Sequence, residues 1–211
     1  MSKIEEEEYD YDLKITFVGD SKVGKTSLIN QLINQKFEPD PPSTVGGGNF
    51  IKQLTLNTKR FLLTIWDTAG QERYRSLSKL FLKNSTIVIF VYDITNIESF
   101  NSIKNNWYPL INDILGINDI IFGLVGNKSD LYDFDTVGIE NGKSFANEIN
   151  ALFFETTAKN YDCVENLIIE LVKKYALNSG SFDKKDNINI YINKNQSKVI
   201  KKTVLIEFKK K

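Results

Sequence analysis

The chain has 211 residues, of which 41% are hydrophobic, 12% aromatic and 26% charged, enough to bury one sizeable core without disulfides or a structural metal. Lysine plus arginine equals aspartate plus glutamate at 27 each, a balance that excludes a nucleic-acid binder of the simple basic kind. A single cysteine, Cys163, and no histidine at all exclude a disulfide framework, a Cys/His zinc site and a Ser-His-Asp triad.

The balanced charge hides an asymmetry. Residues 1–12 carry six acids against Lys3, whereas residues 180–211 carry nine lysines against Asp183, Asp186 and Glu207, so both ends read as solvated extensions of a compact body. Three segments follow: an acidic extension over 1–11, a body over 12–178 and a lysine-rich tail over 179–211. In the tail, Ile188, Ile190 and Ile192 alternate with polar residues as a strand does, a pattern that could fold back on the body or pair with a partner. No apolar run reaches the roughly 18 residues of a spanning helix. The start, Met1-Ser2-Lys3-Ile4 and then four glutamates, is neither a signal peptide nor a myristoylation sequence, so an intracellular, soluble protein is expected.

Strand and helix signals alternate through the body. Leu13–Val18 is a short apolar strand, and Thr26–Gln35 places Leu28, Ile29, Leu32 and Ile33 at helical spacing. Phe50–Leu56 and Phe61–Trp66 are rich in strand formers. Ile87–Tyr92 and Ile120–Gly126 are continuous apolar runs of the length expected of buried central strands. Ile97–Leu115 reads as a helix with Trp107, Leu110 and Ile114 on one stripe. A helix over Ser144–Asn150, a strand at Leu152–Phe154 and a helix over Val164–Tyr175 complete it. This βα alternation predicts an α/β fold: a six-stranded, mostly parallel sheet with helices on both faces, with ligands bound in the loops at the carboxyl ends of the strands.

Those loops carry the motifs. Gly19-Asp20-Ser21-Lys22-Val23-Gly24-Lys25-Thr26 fits G-x-x-x-x-G-K-[ST] between a strand and a helix. Gly19 and Gly24 let the backbone close around a phosphate with its amides turned inward, Lys25 can reach the β and γ phosphates, and the Thr26 hydroxyl can ligate Mg²⁺. Adenylate kinases, ATPases and GTPases all use such a loop. Three further motifs decide between them: Trp66-Asp67-Thr68-Ala69-Gly70-Gln71-Glu72, Asn127-Lys128-Ser129-Asp130 and Glu155-Thr156-Thr157-Ala158-Lys159. A carboxylate such as Asp130 can accept from guanine N1 and the 2-amino group. Adenine offers no such donor pair and would leave the carboxylate unsatisfied.

With these motifs in order, the chain resembles the Ras-like small GTPases over about residues 12–177, and within them the Rab branch, whose pattern is matched by Trp66 through Leu77 and by Val91-Tyr92-Asp93-Ile94-Thr95. The resemblance implies the small G-domain of the P-loop NTPases and a switch that hydrolyses GTP to GDP and phosphate, with GTP/GDP and Mg²⁺ as cofactors. It assigns catalysis to Gln71, which orients the attacking water, and Lys25. It assigns Mg²⁺ to Thr26, Thr44 and, through water, Asp67. Nucleotide contacts fall on Asp20, Ser21, Lys22, Val23, Gly24, Lys25, Thr26, Ser27, Phe37, Thr44, Gly70, Asn127, Lys128, Asp130, Thr157, Ala158 and Lys159. Among these, Phe37 packs edge-on to guanine, Gly70 senses the γ-phosphate, the Lys128 stem covers the base, and the Ala158 amide donates to O6. Asn127 bonds the O6/N7 region and braces neighbouring loops. The resemblance also implies a monomer that regulates vesicle transport. Its partners are a guanine nucleotide exchange factor, a GTPase-activating protein and effectors, engaged through residues 38–52 and 70–82. A role on nucleic acid is not expected.

Several features depart from the branch. Lys22 stands at a loop position that is usually small, Gly46-Gly47-Gly48 suggests an unusually flexible switch, and Trp107-Tyr108-Pro109 is similar to the Rho branch. The tail ends Phe208-Lys209-Lys210-Lys211 with no cysteine to prenylate. The expected localisation is cytoplasmic, with at most weak peripheral attachment to endomembranes through the tail lysines, at about 1 kcal/mol each near an anionic surface. Neither Arg60, Arg73 nor Arg75 makes a convincing arginine finger in cis, so hydrolysis should be slow and depend on an activator. The alternative is a GTP-binding scaffold with negligible hydrolysis.

Overall fold

The computed structural model describes residues 8–39, 47–68, 81–116, 119–182 and 190–191. Strand β1 (Tyr11–Val18) leads into helix α1 (Lys25–Asn34); β2 (Gly47–Leu56) and β3 (Lys59–Thr68) follow, then β4 (Ile87–Asp93). Helix α2 (Ile97–Ser102) continues through a π-helical turn (Ile103–Trp107) into α3 (Tyr108–Leu115). The rest is β5 (Ile121–Asn127), a 3-10 turn (Ser129–Phe134), α4 (Ile139–Glu148), β6 (Leu152–Glu155), α5 (Tyr161–Asn178) and β7 (Ile190–Tyr191). The sheet order is β6-β5-β4-β1-β3-β2-β7. β1 is parallel to β3 and β4, β4 to β5 and β5 to β6, while β2 runs antiparallel to β3. The six expected strands are thus present and mostly parallel. From the tail comes a seventh, since Ile190 and Tyr191 pair antiparallel with Leu56 and Thr55 at the β2 edge.

Alternation along the central strands builds two cores from one sheet. Ile87, Ile89 and Val91 of β4 join Leu13, Ile15 and Phe17 of β1 and Phe61, Leu63 and Ile65 of β3 on one face. There they meet Leu28, Ile29 and Leu32 of α1 and Val164, Leu167, Ile168 and Leu171 of α5. Val88, Phe90 and Tyr92 point the other way, onto Phe100, Ile103, Trp107 and Ile111 and onto Phe145 and Ala146 of α4. Each fully buried side chain of this kind contributes about 1.5–3 kcal/mol. The buried stripe of the long helix is therefore Phe100-Ile103-Trp107-Ile111, and the half-buried Leu110 lies off it.

Helix starts follow local capping. Asn96 accepts from the Glu98 amide at 3.1 Å, and Asn160 accepts from the Asp162 amide at 2.9 Å, which starts α5 three residues before the expected Val164. Helix α4 begins at Ile139 rather than Ser144. Gly47 and Gly48, expected in a flexible loop, instead belong to β2, opposite Thr68 and Asp67.

Candidate functional site

The parallel strands β1, β3, β4 and β5 end abreast, with Phe17 opposite Asp67, Val18 opposite Phe90, and Asp93 opposite Asn127. The loops leaving them converge there. The first runs from Gly19 to Gly24, with Gly19 at φ 140° and Gly24 at φ 98°, conformations that side chains adopt at a cost. A Cβ at Gly19 would lie 2.2 Å from the Val91 carbonyl oxygen, and one at Gly24 would lie 2.2 Å from Asn127 Nδ2. Gly19→Ala should therefore lower folding stability by about 1–3 kcal/mol, read as a drop in thermal midpoint. An unchanged midpoint would mean that the loop does not pack against β4 in this way. Lys22 holds φ 67° without being glycine, so the unusual residue also sits in an unusual conformation.

Lys25 opens α1 and is 5% exposed. Its ammonium donates to the carbonyls of Gly19 at 2.9 Å and Asp20 at 2.7 Å. Burial pushes its pKa down to about 8, against the opposing charges of Asp67 and Asp20. A buried cation steadied by two carbonyls of a loop built to wrap anions is poised for a stronger anionic partner. The Thr26 hydroxyl donates to Asp67 Oδ2 at 2.8 Å, so two hard oxygen donors from α1 and β3 meet beside Lys25. Among the described residues no cluster of three or more acidic, cysteine or histidine side chains could hold a metal. One hydroxyl and one carboxylate suit Mg²⁺, which keeps waters and takes phosphate oxygens for its remaining positions.

The guanine motifs meet beside this loop. Asn127, 1% exposed, donates from Nδ2 to the Val23 carbonyl at 2.8 Å and accepts from Thr156 Oγ1 at 3.4 Å. Asn127 thus ties the phosphate loop to the segment after β6. Asp130 accepts from Thr157 Oγ1 at 2.5 Å and from Lys159 Nζ at 2.6 Å. Burial raises its pKa, but these two donors outweigh burial and hold the carboxyl below its ordinary value. The Lys159 ammonium also lies 5.8 Å from the centre of the Phe37 ring, so one cation is near both the aromatic wall and the carboxylate. Ala158 is buried in the first core cluster. Lys128, in the left-handed region at φ 65°, reaches Asp93 Oδ2 at 2.5 Å.

Lys25, Thr26, Asp67, Phe37, Asn127, Lys128, Asp130, Thr157, Ala158 and Lys159 are thus brought to one end of the sheet, along with the loop residues Asp20, Ser21, Lys22 and Val23 and with Ser27 on α1. Thr44, Gly70 and Gln71 lie outside the described residues, as does most of the partner surface expected over 38–52 and 70–82. Sequence reasoning missed Asp93 as the anchor of Lys128 and Thr156 as the partner of Asn127. The first was detectable, because Asp93 ends the strand that neighbours the one ending in Asn127-Lys128.

A family model described as "Ras family" matches residues 14–177. The chain belongs to that family: it is a small GTPase, binding GTP and GDP. Its relatives put it in the Rab branch. It is 36% identical over 163 residues to Ras-related protein Rab-22A of Homo sapiens, covering 77% of this chain and 83% of that one. It is 37% identical over 164 residues to Ras-related protein Rab-21 of Bos taurus, covering 78% and 73%, and to Rab-21 of Homo sapiens, covering 78% and 72%.

Proposed function

We propose that the chain is a Rab-type switch of vesicle transport, in which the phosphates of GTP lie in the 19–26 loop, Thr26 and, through water, Asp67 would hold Mg²⁺, and guanine lies against Asp130, Asn127 and Phe37. The observation that carries this reading is the convergence of the buried Lys25 cation, the Thr26–Asp67 pair at 2.8 Å and the Asn127 brace to Val23 at 2.8 Å. Phosphoryl transfer to water needs positioning and charge stabilisation more than covalent chemistry. Lys25 neutralises charge developing at the β–γ bridge, and loop amides hold the phosphates. Thr26, Thr44 and, through water, Asp67 would hold Mg²⁺, which would supply further neutralising charge. Gln71 orients the water. Body residues 12–178 form the switch, which acts as a monomer, and exchange factor, activator and effectors engage it through 38–52 and 70–82. The lysine-rich tail provides weak contact with anionic endomembranes.

Phosphate release from preloaded GTP in a single turnover, for wild type and Gln71→Leu side by side, tests this. Slow release by wild type, reduced at least tenfold by the substitution, is expected. Tight GTP binding with no release from either protein would replace the switch by a GTP-binding scaffold.

A further inference from the structure

Asp20 lies inside the phosphate loop, yet its carboxylate is tied to the long helix on the opposite face of the sheet from α1. Its Oδ1 accepts from Ser102 Oγ at 2.8 Å and from Trp107 Nε1 at 2.8 Å. On a regular α-helix, residues five apart point about 140° away from each other and could not share one acceptor atom. Here the turn between them is π-helical, with the Tyr108 amide donating to the Ile103 carbonyl five residues back. That one wide turn brings Ser102 and Trp107 alongside each other, and single π turns recur where a helix serves a site. Trp107 is otherwise a core residue, 6% exposed and packed in the second cluster, so its indole N–H is delivered to Asp20 from a rigid base.

We infer that Trp107 and Ser102 are positioning residues of the nucleotide site, and that the π turn exists to bring them to Asp20. The loop must receive a polyanion, and a carboxylate free to swing into its amide nest would repel the phosphates and compete for the same amides. Two donors on one oxygen tether that charge to the helix. The Asp20 backbone carbonyl, meanwhile, accepts from Lys25 at 2.7 Å, so the clamp also fixes one of the two carbonyls that hold the phosphate-facing cation. The inference rests on the phosphates occupying the 19–26 loop, as proposed above.

A double-mutant cycle separates this role from packing. Release of a fluorescent GDP in the presence of Mg²⁺ is measured for wild type, Trp107→Phe, Asp20→Asn and the double variant, alongside each thermal midpoint. Trp107→Phe should speed release about tenfold in the wild-type background and less than twofold in Asp20→Asn, where no loop carboxylate remains to repel phosphate. Ser102→Ala, which disturbs no core packing of that size, should move release in the same direction by a smaller factor. Equal acceleration in both backgrounds, or a lowered midpoint with release unchanged, overturns the clamp. Lys25→Met tests the underlying reading separately: if it binds the fluorescent GDP as wild type does, the phosphates are not in this loop.

Discussion

Lys25→Met will weaken GDP binding at least about a thousandfold and yet leave the nucleotide-free protein more stable than wild type. The two effects come from one fact. Lys25 is nine-tenths buried and its ammonium is steadied in the free protein by the Gly19 and Asp20 carbonyls. Lowering its pKa from 10.5 to about 8 corresponds to about 3 kcal/mol spent keeping it charged at neutral pH. Methionine has a similar length and no charge. It removes that cost while leaving two carbonyls without their donor, at about 1 kcal/mol each, so the expected net gain is about 1 kcal/mol. The pH dependence fixes the sign. Between about pH 8 and 10.5 the unfolded chain holds a proton on Lys25 that the folded chain has lost, so wild-type stability rises with pH across that window. The advantage of Lys25→Met should accordingly be full below pH 8 and shrink toward pH 10.5. Chemical denaturation of the nucleotide-free proteins at pH 7 and pH 9.5 measures it. A variant less stable than wild type at pH 7 would mean that the carbonyl bonds outweigh the desolvation.

The same residue shows why this site was largely legible from sequence. Phosphate binding by a strand-loop-helix is a local device: Gly19, Gly24, Lys25 and Thr26 stand within eight positions, and each answers a requirement that adjacent residues impose. The guanine motif was legible for a related reason, since Asn127, Lys128 and Asp130 leave one strand end together. What escaped were contacts made across the fold. Nothing near Asp20 says that its carboxylate belongs to Trp107, 87 positions on. Periodicity predicts Trp107, Leu110 and Ile114 on one stripe; the core takes Phe100, Ile103, Trp107 and Ile111 with Ile114 partly buried against them, and the π turn that pairs Ser102 with Trp107 leaves no trace in that spacing. Periodicity assumes a constant pitch, so a single wide turn is invisible to it.

Helix α4 begins five residues before the expected Ser144. From sequence, this helix is expected over Ser144–Asn150, after Gly142. In the structure Gly142 lies within α4, where a Cβ would stand 2.5 Å from Phe153 Cε2 and 2.7 Å from the Tyr92 hydroxyl. The missing side chain is what allows α4 to approach β4 and β6 so closely, and packing repays the lost propensity of about 1 kcal/mol. The strand alternation noted in the tail was legible, but its destination at the β2 edge required the folded sheet.

Asp130→Asn will transfer the preference of the site from guanine to xanthine. Asp130 is an acceptor on both oxygens, and the structure shows it accepting two short hydrogen bonds, from Thr157 and Lys159. Guanine N1 and the 2-amino group present two donors to such a group, and each bond to a charged acceptor is worth about 1.5–3 kcal/mol. Losing one while turning a donor against the 2-amino group forfeits both, so GDP affinity should fall by about 10²–10⁴. Xanthine replaces the 2-amino group by a carbonyl, which the amide NH₂ of asparagine can satisfy while its oxygen accepts from N1. XDP should then bind more tightly than GDP. Thr157 and Lys159 set a limit on the swap, because Lys159 loses its carboxylate partner and its ammonium is freed toward the Phe37 ring, 5.8 Å away. That loosens the wall of the base pocket without touching the phosphate loop, whose brace runs through Asn127 to Val23. Competition of GDP and XDP against a fluorescent diphosphate, for wild type and variant, reads both affinities. Equal loss of both nucleotides would mean that Asp130 shapes the loop and does not read the base.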